Sequence, residues 1–200
     1  MGKEGIGMIL IGVPTMGTIP IKVAASLNKV EKMYGKDVDI MFTRNSLVYD
    51  ARHTILREAV RNGSDLLFID SDIYFTLEAF EQLSRHKKPI ISGLYFQKTP
   101  ERLPVAYKKV RPRTLFKPPT IEHITEIEPF MEVQGAGLGF CLIRNEVLRA
   151  MDSDRINPFE PYKGLGEDFS FFYRCRKKGY KIYLDTTIPL KHLGEYEYGR

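Results

Sequence analysis

Cysteine is scarce in this chain: only Cys141 and Cys175 occur, each within an apolar or helical pattern and without CxxC spacing. That excludes a disulfide framework and gives no sign of a zinc site, and it suits a reducing compartment. Long hydrophobic runs are missing too. The apolar stretch GMILIGV (7–13) is too short to span a bilayer and lacks the flanks and cleavage pattern of a secretory signal, so the chain reads as soluble and cytoplasmic, with no transmembrane segment. No internal repeat or low-complexity tract appears. Nor does one sign of charge dominate: 30 basic and 25 acidic side chains leave a formal net charge of +5. The basic residues gather in RHKK (85–88), YKKVRPR (107–113) and RCRKK (174–178), which fits either a solvated surface or a polyanionic ligand. No basic stripe interleaved with aromatics and no nucleic-acid motif accompanies them, so no nucleic-acid partner is expected.

What is present is enough for one full core. With 200 residues, 43% of them hydrophobic, the expectation is a single domain over 1–200. Short apolar runs alternate with amphipathic segments through the first half, the pattern of βαβ units. Strands are expected at MILIGV (8–13), VDIMFT (38–43), DLLFID (65–70) and PIISGLY (89–95). Helices are expected at 19–35, closed by Gly35, at 47–63, ending at Gly63, and at 76–88, with Thr76 as N-cap. From Gln97 to about Phe130 the pattern breaks into Pro-, Lys- and Arg-rich sequence that fits neither a central strand nor a long helix. This reads as an extended excursion with a short strand at PVAYKKV. FMEVQGAGLGFCLIR then places two strand-like runs around a glycine-rich turn, followed by a helix from Asn145 to Met151, a loop at INPFEPYKGLG, a helix at EDFSFFYRCRKKG and a strand at YKIYLD. The architecture is a wound α/β sheet flanked by helices.

Two acidic pairs carry chemical interest. In LLFIDSDIYF, Asp70 and Asp72 flank Ser71 at the end of a buried run; in a continued strand they project to one face about 6–7 Å apart. Carboxylates so placed raise each other's pKa unless a cation sits near them, and Mg²⁺ or Mn²⁺ takes such oxygen ligands while keeping positions open for phosphates. The carboxyl ends of the strands are also where ligands bind in wound sheets. The plainer alternative is that DSD opens a turn and caps the next helix. Glu167 and Asp168 begin a helix, where acids complement the macrodipole without further duty. Yet Asp168 shares a helical face with Phe171, Phe172 and Cys175, and a partly desolvated carboxylate suits a general base. Of the histidines, His86 and His123 read as surface residues, His53 as either surface or core. His192 follows a late strand-like run, and it gains interest if the fold returns it to the acidic pair, since imidazole can complete a Mn²⁺ shell.

The ordered set GVPT, DARHTILREAV, DLLFIDSDI, GAGLGFCLIRNEVL, GEDFSFFYRCRKKGYKIYLD and KHLGEYEYG resembles glycosyltransferases of the GT-A fold, particularly compact family-2-like enzymes of phages and archaea. The likeness covers nearly the whole chain and is weakest from Gln97 to Phe130. It implies a Rossmann-like, nucleotide-diphospho-sugar transferase sheet of mixed direction, and a sugar moved from a nucleotide-diphosphate donor, UDP- or GDP-linked, to a glycan, lipid or protein acceptor. It also implies that Pro14, Thr15, Arg44, Asn45 and Arg52 contact the nucleotide, although His53 stands where such enzymes more often have Asn. Asp70, Ser71 and Asp72 would form the DxD motif. Asp70 would lie near the ribose, and Asp70, Asp72 and His192 would surround Mn²⁺ or Mg²⁺. Gly135, Ala136 and Gly137 would lie against the sugar, and Glu167 and Asp168 would be the catalytic acids, with Asp168 the base of an inverting reaction. Three alternatives stay open: a nucleotide-sugar or glycan-binding module without turnover, a DxD phosphatase of the haloacid dehalogenase type, which places its motif on the first strand, and a metal-dependent nuclease.

Overall fold

The structure, a computed structural model, describes residues 7–44, 47–154, 156–194 and 197–199. Its first strand, β1 (Ile9–Pro14), is buried at every position. Pro20, which has no N–H to give, stands just outside α1 (Ile21–Tyr34), and its carbonyl accepts from Val23 and Ala24. β2 (Val38–Thr43) follows, then α2 (Val48–Asn62), which closes on Gly63 in the left-handed conformation at φ 68°. β3 (Asp65–Ile69) leads through a turn to β4 (Ile73–Phe75). Thr76 then caps α3 (Leu77–Arg85) by accepting from the Ala79 N–H at 3.2 Å. The remaining elements are β5 (Ile90–Gly93), β6 (Ala106–Arg111), β7 (Thr120–His123), β8 (Phe130–Val133), β9 (Gly135–Ala136), β10 (Phe140–Ile143), α4 (Asn145–Asp152), α5 (Glu167–Lys177), β11 (Ile182–Asp185), β12 (Leu190–Leu193) and β13 (Glu197–Gly199).

Seven strands form the central sheet in the order β2-β1-β3-β10-β5-β11-β8. Its β1, β2, β3, β5 and β11 run one way, while β10 and β8 run against their neighbours. Period-two alternation explains how one strand serves both faces. Leu66 and Phe68 of β3 join the core under α2, α4 and α5, with Ile55, Leu148 and Phe171; Leu67 and Ile69 join the opposite core under α1 and α3, with Leu27 and Phe80. Gly12 on β1 permits the closest approach of α2, since a Cβ there would lie 2.3 Å from Ile55 Cγ2. Two smaller sheets, β13-β12-β4 and β7-β6-β9, stand beside the main one.

The structure departs from the sequence reading at DSD. β3 ends at Ile69, the Asp70 N–H donates to Gly139 O at 3.0 Å as a last rung, and the Ile73 N–H closes back on Asp70 O at 3.0 Å. A tight turn therefore separates the two acids, and the expectation that they share one face of a continued strand fails. The turn diverts the chain into β4, which pairs with β12 and sets Ile73 opposite His192. The excursion holds one more strand than expected: β7 pairs with β6 across an irregular register between Tyr107 and Lys109.

Candidate active site

The site is assembled where β1, β2 and β3 end and α5 begins. Arg52, on the inner face of α2, is 3% exposed, and its Nη2 lies 2.8 Å from Asp70 Oδ1 and 3.7 Å from Asp168 Oδ1. Its guanidinium also rests over the Phe68 ring, 5.2 Å from the centroid. Burial alone would lower the Arg52 pKa, but Asp70 and Asp168 overcome it and raise the value, so the cation is locked in. Asp168 accepts from the Leu138 N–H through Oδ2 at 3.1 Å. Burial pushes its carboxyl up to about 7; Arg52 opposes the shift, and the nearby Glu167 and Asp70 add to it. Its other oxygen, Oδ1, together with Arg52 Nε and Nη1, is buried without a hydrogen-bond partner. Unmet polar groups of this kind are costly, and they mark places where a ligand can complete the bonding. Asp168 and Glu167 line a cleft of about 210 Å³ with Val105, Tyr107, Ala136, Gly166 and Phe169.

The second cluster surrounds Asp72. His192 Nδ1 lies 2.8 Å from the Phe96 carbonyl, which only accepts, so Nδ1 donates there, and Nε2 faces Asp72 Oδ1 at 3.5 Å. Lys98 Nζ holds the other oxygen, Oδ2, at 2.5 Å. Burial would raise the Asp72 pKa, but His192 and Lys98 more than offset it and hold the carboxyl down at about 2. A carboxylate oxygen and an imidazole nitrogen facing the same space are chemically fit for Mg²⁺ or Mn²⁺, with phosphates and water as the remaining ligands. No group of three His, Cys, Asp or Glu suited to a metal occurs among the described residues. The expected third ligand, Asp70, is turned to Arg52 because the turn separates it from Asp72.

Other expected residues fall as follows. Pro14 is buried at the end of β1, and the Thr15 N–H donates to Thr43 O at 3.0 Å, tying the β1 and β2 ends together. Thr15 Oγ1 accepts from the Gly17 N–H at 3.1 Å; the exposed Arg44 lies against Gly17, where a Cβ would meet its Cζ at 3.6 Å. Asn45 lies outside the described residues. Ser71 sits half-buried in the turn between the two acids. Gly135, Ala136 and Gly137 are all buried. A Cβ on Gly137 would collide with Tyr95 Oη at 1.8 Å and one on Gly135 would press on Val110 at 3.2 Å, so the space these glycines leave is filled by the protein's own side chains. Ala136 alone of the three borders the cleft beside Asp168. His86 and His123 are not free surface residues: His86 Nε2 lies 2.8 Å from Asp185 Oδ2, and His123 Nδ1 lies 2.7 Å from Pro104 O.

Sequence reasoning missed three contributors. Tyr95 is 4% exposed, accepts from the Gly139 N–H at 3.1 Å and meets His192 edge-on at 5.4 Å, which joins the two clusters. Gly139 must lack a side chain, since a Cβ would lie 2.8 Å from both Asp70 Oδ2 and Tyr95 Oη. The signal for Gly139 was the second half of GAGLG; for Tyr95 and Lys98 the sequence carried none.

Among known proteins the architecture has clear counterparts. A197 from STIV superposes with a TM-score of 0.67 at 22% identity, over 94% of this chain and 86% of that one. The catalytic domain of Drosophila β1,4-galactosyltransferase 7, in complex with xylobiose, superposes with a TM-score of 0.56 at 16% identity, over 91% of this chain and 66% of that one. No family model matches the sequence, and no curated protein matches it. The architecture is the GT-A fold, a wound mixed sheet flanked by helices. The chain shares it in the compact form that A197 also presents.

Proposed function

We propose that this protein is a glycosyltransferase that moves a sugar from a nucleotide-diphosphate donor, UDP- or GDP-linked, to an acceptor hydroxyl with inversion. The observation that carries the reading is Asp168: a cleft carboxyl with one oxygen fixed by a backbone N–H, the other without a hydrogen-bond partner, and a raised pKa. A base poised near neutrality accepts a proton without holding it too weakly. Asp168 takes the proton of the acceptor hydroxyl as its oxygen attacks the anomeric carbon. The bond to the donor diphosphate breaks on the opposite face, and the electron pair leaves with the phosphate oxygen. Arg52 keeps Asp70 and Asp168 oriented throughout. Thr15 and Arg44 form the rim for the base and ribose, and Asp70 meets the ribose as a carboxylate already aligned by Arg52. Asp72 and His192 would hold Mn²⁺ or Mg²⁺, which when bound offsets charge on the diphosphate.

A thermal-shift panel of UDP, GDP, CDP, ADP and dTDP, with and without Mn²⁺, tests the donor half; one diphosphate should stabilise the protein more with metal than without. NMR of the product's anomeric proton tests the rest, and retention of configuration would rule out Asp168 as base of a single displacement. A second reading, a nucleotide-sugar or glycan-binding module without turnover, is favoured by Lys98, whose ammonium already neutralises Asp72. It predicts the same nucleotide shift with no transfer or donor hydrolysis.

A further inference from the structure

The excursion between β5 and β8 carries a feature that the transferase reading does not use. Leu115 and Phe116 are adjacent and 90% and 88% exposed. Single exposed apolar side chains are ordinary, but two together at the tip of an ordered turn are less so. The turn is closed by the Thr114 N–H to Lys117 O at 2.9 Å and by the Lys117 N–H to Thr114 Oγ1 at 3.1 Å. Pro112, Pro118 and Pro119 stiffen its stems, and Pro119 packs against Gly164, where a Cβ would meet it at 3.2 Å. The Arg113 N–H donates to Lys163 O at 2.9 Å, which ties the turn to the loop that runs into Glu167 and Asp168.

Charge decides what such a tip meets. From Arg102 to Ile121 the sequence contains no Asp or Glu, and Arg111, Arg113 and Lys117, within or next to the turn in the chain, are all exposed. Two apolar side chains are far too little surface for a stable protein interface, which needs on the order of 1,000 Å². They suffice at a bilayer, where a few inserted side chains act together with cations that stay at the headgroups. We propose that the Thr114–Lys117 turn docks the protein on an anionic lipid bilayer, with Leu115 and Phe116 entering the interface and the surrounding Lys and Arg on the headgroups. Each cation near such a surface contributes about fivefold to partitioning. Where the transferase reading also holds, the docked turn brings the Asp168 cleft close to the headgroups and makes the acceptor a hydroxyl carried at the membrane surface.

The test is co-sedimentation of the whole chain with vesicles of phosphatidylcholine, with and without phosphatidylglycerol. The expected result is strong pelleting only with phosphatidylglycerol, falling as salt rises. Leu115→Ser combined with Phe116→Ser should lower the partition coefficient roughly tenfold or more, and Arg111, Arg113 and Lys117 changed together to Gln should remove the dependence on phosphatidylglycerol. Unfolding midpoints equal to that of the parent protein certify that both variants are folded. Absence of pelleting by the parent protein, equal pelleting with phosphatidylcholine alone, or undiminished binding by both variants overturns the proposal. The nucleotide thermal shift reads the donor site separately: vesicle binding without any nucleotide shift keeps the docking and rejects the transferase, and the reverse result rejects only the docking.

Discussion

Asp72 and Asp168 are joined through Asp70, which lies two residues from the one and shares Arg52 with the other, yet their surroundings drive them in opposite directions. Both are penalised by burial. At Asp72 the imidazole of His192 and the ammonium of Lys98 outweigh the penalty, and the carboxyl is held at about 2. At Asp168 burial is offset only in part by Arg52, which is divided between two acids, Glu167 adds to the repulsion, and the carboxyl rises to about 7. The contrast shows how one small region can keep one acid permanently charged, fit for a cation, and another ready to exchange a proton. Depth and counter-charge together separate the two: Asp168 is the more buried and has a shared cation, whereas Asp72 is the more open and has two partners of its own.

Removing the carboxyl proposed as proton acceptor breaks the comparison most severely. Asp168→Asn should lower turnover by about 10²–10⁴-fold while nucleotide binding, read by thermal shift, stays within error. Arg52→Met comes next, because it leaves Asp70 and Asp168 buried without their shared cation. Loss of one member of a buried charge set costs about 3–5 kcal/mol, to be read from the urea midpoint of unfolding. In the same series, a drop below about 1 kcal/mol would mean that Asp168 already carries its proton and Arg52 serves Asp70 alone.

Titration sharpens the difference, since the two acids move stability with opposite sign. The Asp168 carboxyl binds its proton more tightly folded than unfolded, so its contribution is complete below its ordinary value of 3.8 and is lost as pH climbs through about 7. Asp72 behaves the other way: its contribution is present above 3.8 and disappears as pH falls toward about 2. Unfolding followed from pH 2 to 8 should show both limbs. Asp168→Asn should flatten the upper limb and leave the lower one unchanged.

How far these elements were legible follows from their physics. The strands and helices of the main sheet were readable because each buries an apolar face with its own period, and Gly63 and Thr76 end or begin helices by local backbone chemistry alone. Arg52, Asp70 and Asp168 were identified as separate candidates, and their meeting depends on α2, β3 and α5 converging. Asp70 and Asp72 were misplaced on one strand face because an apolar run followed by Asp-Ser-Asp has the same pattern whether the strand continues or turns. What decides it is the pairing of Ile73 with His192, far along the chain. Lys98 had no local signature; its role comes only from where the loop after β5 delivers it.

The smallest effect concerns that lysine. The Lys98–Asp72 pair is about one-third exposed on both sides, so solvent screens it and Lys98→Met should change stability by only about 0–1 kcal/mol. Its consequence for binding is larger in kind than in size. With the ammonium gone, Asp72 Oδ2 loses its partner while Oδ1 keeps His192, and the carboxylate turns from a neutralised group into an open one. Nucleotide stabilisation by Mn²⁺ should then saturate at lower metal concentration in the variant, because the cation no longer displaces an ammonium. If Lys98 instead contributes directly to holding the diphosphate, the variant should bind nucleotide more weakly at every metal concentration. A thermal-shift titration of Mn²⁺ at fixed nucleotide separates these results, and Asp72→Asn, which should abolish the metal dependence in either background, fixes the zero against which both are read.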